Sequence, residues 1–200
     1  MTALGRLEYI TVVSNGRGRN PSEKQRTLDL NNDKAFDVSL GFSPACCDAL
    51  RFGGTFRYDE IPPNLPVRHS MTEFIGSGFV ELRLKHIEGL AEFAYIGDDV
   101  HLDGGHFGNH SGYVQVGYRI EDWLPYTRFD YREMDLGDPF YSVINRDLDA
   151  WLQILGLRWD FTPNSAIKVE VGGGRGERRR GADVSENTII TAAIQLSWVI

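Results

Sequence analysis

The sequence predicts an all-β chain, an antiparallel up-and-down transmembrane β-barrel with about ten strands present. Three observations carry that expectation. Apolar and polar residues alternate with a period of two, short and long connections alternate along the chain, and aromatic residues collect where the predicted strands end. The 200 residues read as one domain, 42% hydrophobic and 24% charged, a balance that excludes a disordered chain. No stretch reaches the roughly 18 apolar residues of a membrane-spanning helix, and mean hydropathy is only -0.30. The net charge of -7 argues against nucleic acid as a partner, because a phosphate backbone requires a concentrated positive face.

The strands follow in order. Residues 7–13 form the first, with little contrast between its faces. In the second, Phe36, Val38, Leu40 and Phe42 face one way and Asp37, Ser39 and Gly41 the other. The third alternates most strictly, with Leu50, Phe52, Gly54, Phe56 and Tyr58 against Arg51, Gly53, Thr55, Arg57 and Asp59. The fourth, 73–85, turns Ile75 and Phe79 toward the polar side, and its Gly76 and Gly78 mark a bend. Connections at 86–89 and 97–110 bracket a further strand. Val114, Val116, Tyr118 and Ile120 then alternate with Tyr113, Gln115, Gly117 and Arg119, and Thr127, Phe129 and Tyr131 with Arg128, Asp130 and Arg132. Between Ile154 and Leu155 the phase slips, which reads as a bulge. Ile167, Val169 and Val171 alternate with Lys168 and Glu170, and the last strand carries Ile190, Ala192, Ile194, Leu196, Trp198 and Ile200 on one side.

Short connections lie at 43–49, 86–89, 121–124 and 162–165, and long ones at about 16–33, 62–69, 97–110, 134–146 and 172–186. In an up-and-down barrel, every short turn then falls at one end and every long loop at the other. Alternation alone leaves open which face points outward; the aromatic residues decide. Phe42, Trp123, Trp159, Phe161 and Trp198 adjoin short turns or the terminus, while Tyr58, Tyr95, Tyr131 and Trp151 lie toward the long loops, as two interfacial girdles would. The apolar face is therefore expected outward. The inward, pore-lining face would carry Arg51, Arg57, Asp59, Glu81, Arg83, Arg119, Arg128, Asp130, Arg132, Arg158, Asp160, Lys168 and Glu170, charges tolerated in a lumen only when hydrated. The competing role for each is pairing across strands to hold the wall.

The string Trp159-Asp-Phe-Thr-Pro-Asn-Ser-Ala-Ile-Lys-Val-Glu170, preceded by Leu155-Gly-Leu-Arg158, resembles the penultimate hairpin of Gram-negative outer-membrane porins, including the phosphate-selective porin-like group. Pro125-Tyr-Thr-Arg-Phe-Asp130 resembles another strand of that group. The ending, Ile194-Gln-Leu-Ser-Trp-Val-Ile200, is similar to the assembly signal of such barrels, with Ile194, Leu196, Trp198 and Ile200 on one face, although the family usually ends in Phe. The resemblance covers most of this chain but only the C-terminal half of a typical porin. It implies a piece lacking a signal peptide and N-terminal strands; a self-sufficient ten-stranded barrel is the other expectation. It further implies residence in the cell outer membrane and passive passage of small hydrophilic solutes or ions through a charged lumen. The partners it implies are outer-membrane lipid and lipopolysaccharide and the barrel-assembly machinery, and it admits a homotrimer. No enzymatic activity, cofactor or metal is expected.

Other constellations are less specific. Between Asp98 and His110, three acids and three histidines supply ligand types for a divalent metal or an acid/base pair, but the spacing matches no known metal loop, and a solvated acidic loop is the plainer expectation. Arg175-Gly-Glu-Arg-Arg-Arg180 follows three glycines without the ending of a phosphate loop, and reads as a charged loop that can attract lipopolysaccharide phosphate. Cys46 and Cys47 are adjacent, so they pair with each other only through a strained ring and read as two thiols in a turn. No catalytic triad, zinc spacing or dinucleotide fingerprint occurs. The rival readings are a barrel enzyme with a hydrolase site of Asp and His at its rim, and a soluble ligand-binding β-barrel.

Overall fold

The computed structural model describes residues 4–16, 34–63, 70–101, 105–135, 137–138, 147–180 and 183–198. They form ten strands: β1 (Gly5–Ser14), β2 (Ala35–Pro44), β3 (Leu50–Ile61), β4 (Met71–Arg83), β5 (Ile87–Val100), β6 (His106–Tyr118), β7 (Trp123–Glu133), β8 (Asp147–Thr162), β9 (Ser165–Arg180) and β10 (Asp183–Trp198). Each is hydrogen-bonded antiparallel to the next in chain order, giving one up-and-down sheet with β1 and β10 as its edges. The sheet is open. No helix among the described residues is long and apolar enough to cross a membrane.

The register is staggered. Phe42, Phe52, Val80, Ala91, Val114, Phe129, Gln153, Gly173 and Ile190 lie in one cross-strand row. That row starts two residues from the end of β2 and finishes eight residues from the end of β10, so the strands are tilted, as sheets that curl around an axis require. The two faces differ in exposure. Along β7 the apolar and aromatic Trp123, Phe129 and Tyr131 are exposed, while the intervening Leu124, Tyr126, Arg128, Asp130 and Arg132 are sheltered. The same sense holds across the sheet: Phe56 is 48% exposed, yet the Arg57 side chain beside it is only 23% exposed. A sheet curled toward its charged side produces this difference. The small apolar core, Ile61, Met71 and Val100 with Ile96, Phe107 and Met134 packed against it, lies on the charged side at the long-loop end.

Three expectations require correction. No bulge separates Ile154 from Leu155: the β8–β9 register is continuous there, and its irregularities fall between Asp147 and Ala150 and between Trp159 and Thr162. Ile154 is simply an apolar residue on the charged face, buried opposite Gly172. The segment 172–186 is not a long loop, and Arg175 lies in β9, since β9 runs to Arg180 and β10 begins at Asp183. Its glycines serve close approach rather than a turn: a Cβ on Gly174 would stand 1.9 Å from the carbonyl oxygen of Trp151. Likewise 97–110 is mostly strand, because β5 extends to Val100 and β6 begins at His106; Gly97 continues β5 with the Phe74 ring laid over it. The loops expected at 16–33, 62–69 and 134–146 lie largely outside the described residues.

Gly174→Ala is therefore expected to destabilise the sheet by about 1–3 kcal/mol through backbone overpacking. Gly76→Ala, where nothing lies within 4 Å of the added methyl, should stay within about 0.5 kcal/mol of the parent. Urea unfolding of both variants in lipid vesicles, followed by tryptophan fluorescence, measures the difference.

Candidate functional site

Strand parity gathers the charged residues singled out in the sequence onto one face. Arg51, Arg57 and Asp59 come from β3, Glu81 and Arg83 from β4, and Arg128, Asp130 and Arg132 from β7. Arg158 and Asp160 come from β8 and Lys168 and Glu170 from β9, and Arg119 joins them from the turn after β6. Ile194, Leu196 and Trp198 lie on the opposite face of the edge strand β10; Ile200 is outside the described residues.

The charged face is organised as ion-pair networks. Arg51 bridges Glu8 of β1 at 3.0 Å and Glu81 of β4 at 3.6 Å, and Glu81 also takes Arg83. Arg57 lies 3.4 Å from Asp37 and 3.1 Å from Asp59. Arg119 donates to Glu88 at 2.5 Å and to Asp160 at 2.8 Å, and Arg158 meets the other oxygen of Asp160 at 2.6 Å. The two bonds that Arg119 donates, that to Glu88 foremost, raise the pKa of its guanidinium in the turn. Arg128 lies 2.8 Å from Asp130 and 3.2 Å from Glu170, and Lys168 approaches Glu170 at 3.0 Å. Tyr126 donates to the same Glu170 carboxylate at 2.6 Å, reaching across β8 because Gly156 leaves room for its ring. Arg132 projects to this face opposite Ser111 and Ala150.

Several members were not singled out in the sequence. Glu8, Asp37 and Glu88 complete networks, and Tyr126 holds Glu170. Glu73 and Asp98, which follow the predicted Asp59 directly across β4 and β5, are with it fully buried on this face near the long-loop end. Parity was available for each of these, but the partners depend on inter-strand register, which a single strand does not reveal.

The histidines of the 98–110 segment separate rather than converge. His101 sits between the hydroxyls of Ser70 at 2.9 Å and Thr72 at 2.7 Å. His106 pairs with Asp99 at 2.6 Å, and His110 with Glu133 at 3.2 Å, while Asp98 faces the other way. Among the described residues no group of three His, Cys, Asp or Glu is placed to hold a metal ion. Cys46 and Cys47 are both free thiols in the β2–β3 turn. A shallow groove of about 750 Å³ belongs to the opposite face, where Phe52, Phe93, Phe129 and Tyr131 stand around Gly78 and Gly112.

Arg119→Met would strand two carboxylates whose side chains are 27% and 20% exposed, and is expected to cost about 1–3 kcal/mol. Arg175→Met removes a pair exposed at 65% and 63% and should cost nothing measurable. Equilibrium urea titration of the two variants checks the contrast; equal losses would mean that the Arg119 network carries no special stability.

Comparison of the chain with protein-family models, with curated proteins and with solved structures finds no match.

Proposed function

We propose that this sheet is the wall of an outer-membrane β-barrel of the porin type, passing small hydrophilic solutes or ions passively along its charged face. The observation that carries the reading is the inverted exposure of the two faces. A sheet folding in water shelters its apolar side, because removing apolar surface from water is the main driving force. Here Phe36, Leu40, Phe56, Phe93, Val114 and Leu155 are all between 44% and 59% exposed, while ion pairs occupy the sheltered side. An exposed apolar surface this continuous needs an apolar solvent, and lipid supplies it.

The aromatic residues support the same placement. Trp123 and Trp159 stack at 5.3 Å, and Trp159 adjoins Phe161 at 5.5 Å, on the exposed face near the short turns. Tyr95 packs with Phe74 at 5.6 Å, and Phe129 with Trp151 at 6.4 Å, toward the long-loop end. Rings with polar tips at both ends of an apolar belt match the two interfaces of a bilayer. Backbone groups on the free edges of β1 and β10 require partners in hydrocarbon, so the proposed barrel closes through these edges, with each other or with further strands.

The rival readings have less to stand on. A soluble ligand-binding barrel needs the opposite parity, apolar inside. A rim hydrolase needs a nucleophile, a base and a third group orienting the base; among the described residues His101 meets the hydroxyls of Ser70 and Thr72 but no carboxylate, while His106 and His110 meet carboxylates, Asp99 and Glu133, but no serine, threonine or cysteine.

Two tests follow from the wall reading. Phe56→Arg or Val116→Arg places a charge on the apolar face and should cost about 2–4 kcal/mol in vesicle refolding, whereas Thr55→Arg on the charged face should cost much less. Equal damage on both faces would reverse the assignment. Neutralising Arg128, Arg132 and Arg158 together leaves Asp130, Asp160 and Glu170 with fewer counter-ions, so reversal potentials across planar bilayers should shift toward cation selectivity. An unchanged reversal potential would remove these residues from the conduction path.

A further inference from the structure

The ion-pair networks leave hollows on the charged face, and one of them lies over β5, β6 and β7. It has a volume of about 440 Å³ and is walled by Glu92, Tyr113, Arg128 and Asp130 above the small side chains of Ala94 and Ser111. Glu92 lies directly opposite Phe79 on β4 and Tyr113 on β6. Directly opposed residues stand about 5 Å apart at Cβ, so an aromatic residue flanks this carboxylate on each side. The Tyr113 hydroxyl donates to Glu92 at 3.2 Å. The phenol donates as a neutral group and adds no competing charge.

The charge balance of the hollow is uneven. Glu8, Asp37, Glu81, Glu88, Asp130, Asp160 and Glu170 each take an Arg or Lys, but among the described residues Glu92 has no cation within ion-pair distance. Arg128 cannot serve it, being committed to Asp130 at 2.8 Å and Glu170 at 3.2 Å. Glu92 is itself exposed to solvent, so its carboxylate is open to an arriving group. The flanking rings already accept cations: the Arg51 guanidinium lies 5.1 Å from the Phe79 centroid, and that of Arg128 lies 6.0 Å from the Tyr113 centroid. A carboxylate beside the Tyr113 ring suits an organic cation, which gains both a counter-ion and π-face contact. A hard metal ion demands more oxygen ligands than this hollow presents.

We propose that this hollow is a binding subsite for solutes bearing a primary ammonium or guanidinium group, with Glu92 as the counter-ion and the Tyr113 ring as a packing surface. The subsite deepens the lumen reading, on which its biological access rests; the binding itself is measurable without conduction. The probe is agmatine, with butylurea, an uncharged ureido isostere of its guanidinium half, as the control. Both are titrated calorimetrically into the full chain in detergent micelles and applied during single-channel recording.

Saturable binding of agmatine with none of the isostere is expected. Glu92→Gln, which preserves shape and the Tyr113 contact, should weaken binding about tenfold or more. Tyr113→Phe should retain most of the affinity and Tyr113→Leu should lose about fivefold, because the ring rather than the hydroxyl makes the contact. Equal binding of the isostere, or no loss in Glu92→Gln, would overturn the subsite. Binding without conduction supports the subsite and overturns the lumen function; conduction without agmatine binding or block overturns the subsite alone. Absence of both overturns both.

Discussion

Cross-strand register is the constraint on which the rest of this structure depends. Side chains alternate faces at every residue, so a slip of one position between any two strands would carry an entire apolar set to the opposite side. Apart from the irregularities at the two ends of the β8–β9 ladder, no such slip separates the two faces from β1 to β10, and the row from Phe42 to Ile190 stays apolar or small except at Gln153. The ion pairs are consequences of that coherence. Arg51 meets Glu81 because they are directly opposed, and Arg128 reaches Glu170 over β8 because both fall on the same side of it. Even Gln153 finds a local partner, donating to Thr127 on the neighbouring strand.

Stability in such a sheet has few sources. The core of Ile61, Met71 and Val100 is too small to hold ten strands, so the backbone ladders and cross-strand pairs carry most of the internal cohesion. Water would then face a broad apolar belt. In the proposed bilayer the same belt is solvated by lipid tails, and the penalty moves to the unsatisfied backbone groups at the edges. The charged side is arranged to tolerate shelter: the Arg119, Arg128 and Arg57 guanidinia each contact two carboxylates, which limits the cost of removing them partly from water.

Face membership was legible in the sequence because it is local: Arg57 and Thr55 share a side whatever surrounds them. Ion-pair partners were not, because they depend on stagger accumulated over several strands; nothing within 123–133 indicates that Tyr126 will meet Glu170. Glycine misled in a specific way. Gly172, Gly173 and Gly174 have the composition of a loop, yet β8 and β9 approach too closely at Gly174 for any side chain, so the residue that marks turns here marks strand contact. Ile154 misled for the converse reason, since one apolar residue on a charged face imitates a change of phase. The 98–110 segment was legible as a collection of ligand types, but strand parity sends Asp98 to one face and Asp99 to the other, which divides the cluster.

A wall built from matched pairs has a particular electrostatic character. Each cation beside its anion presents a dipole rather than a net charge, so its field decays within a few ångströms and a passing solute is oriented without being trapped. Conduction requires this balance, because a site that binds too well cannot release. Glu92 departs from it. Its carboxylate is hydrogen-bonded by Tyr113 but not neutralised, and the open hollow beside it is bounded by groups already committed elsewhere. In the proposed lumen, an uncompensated carboxylate beside balanced pairs is a position at which charge recognition becomes selective, and the adjoining Tyr113 ring restricts that recognition to cations with an exposed apolar or π-compatible surface.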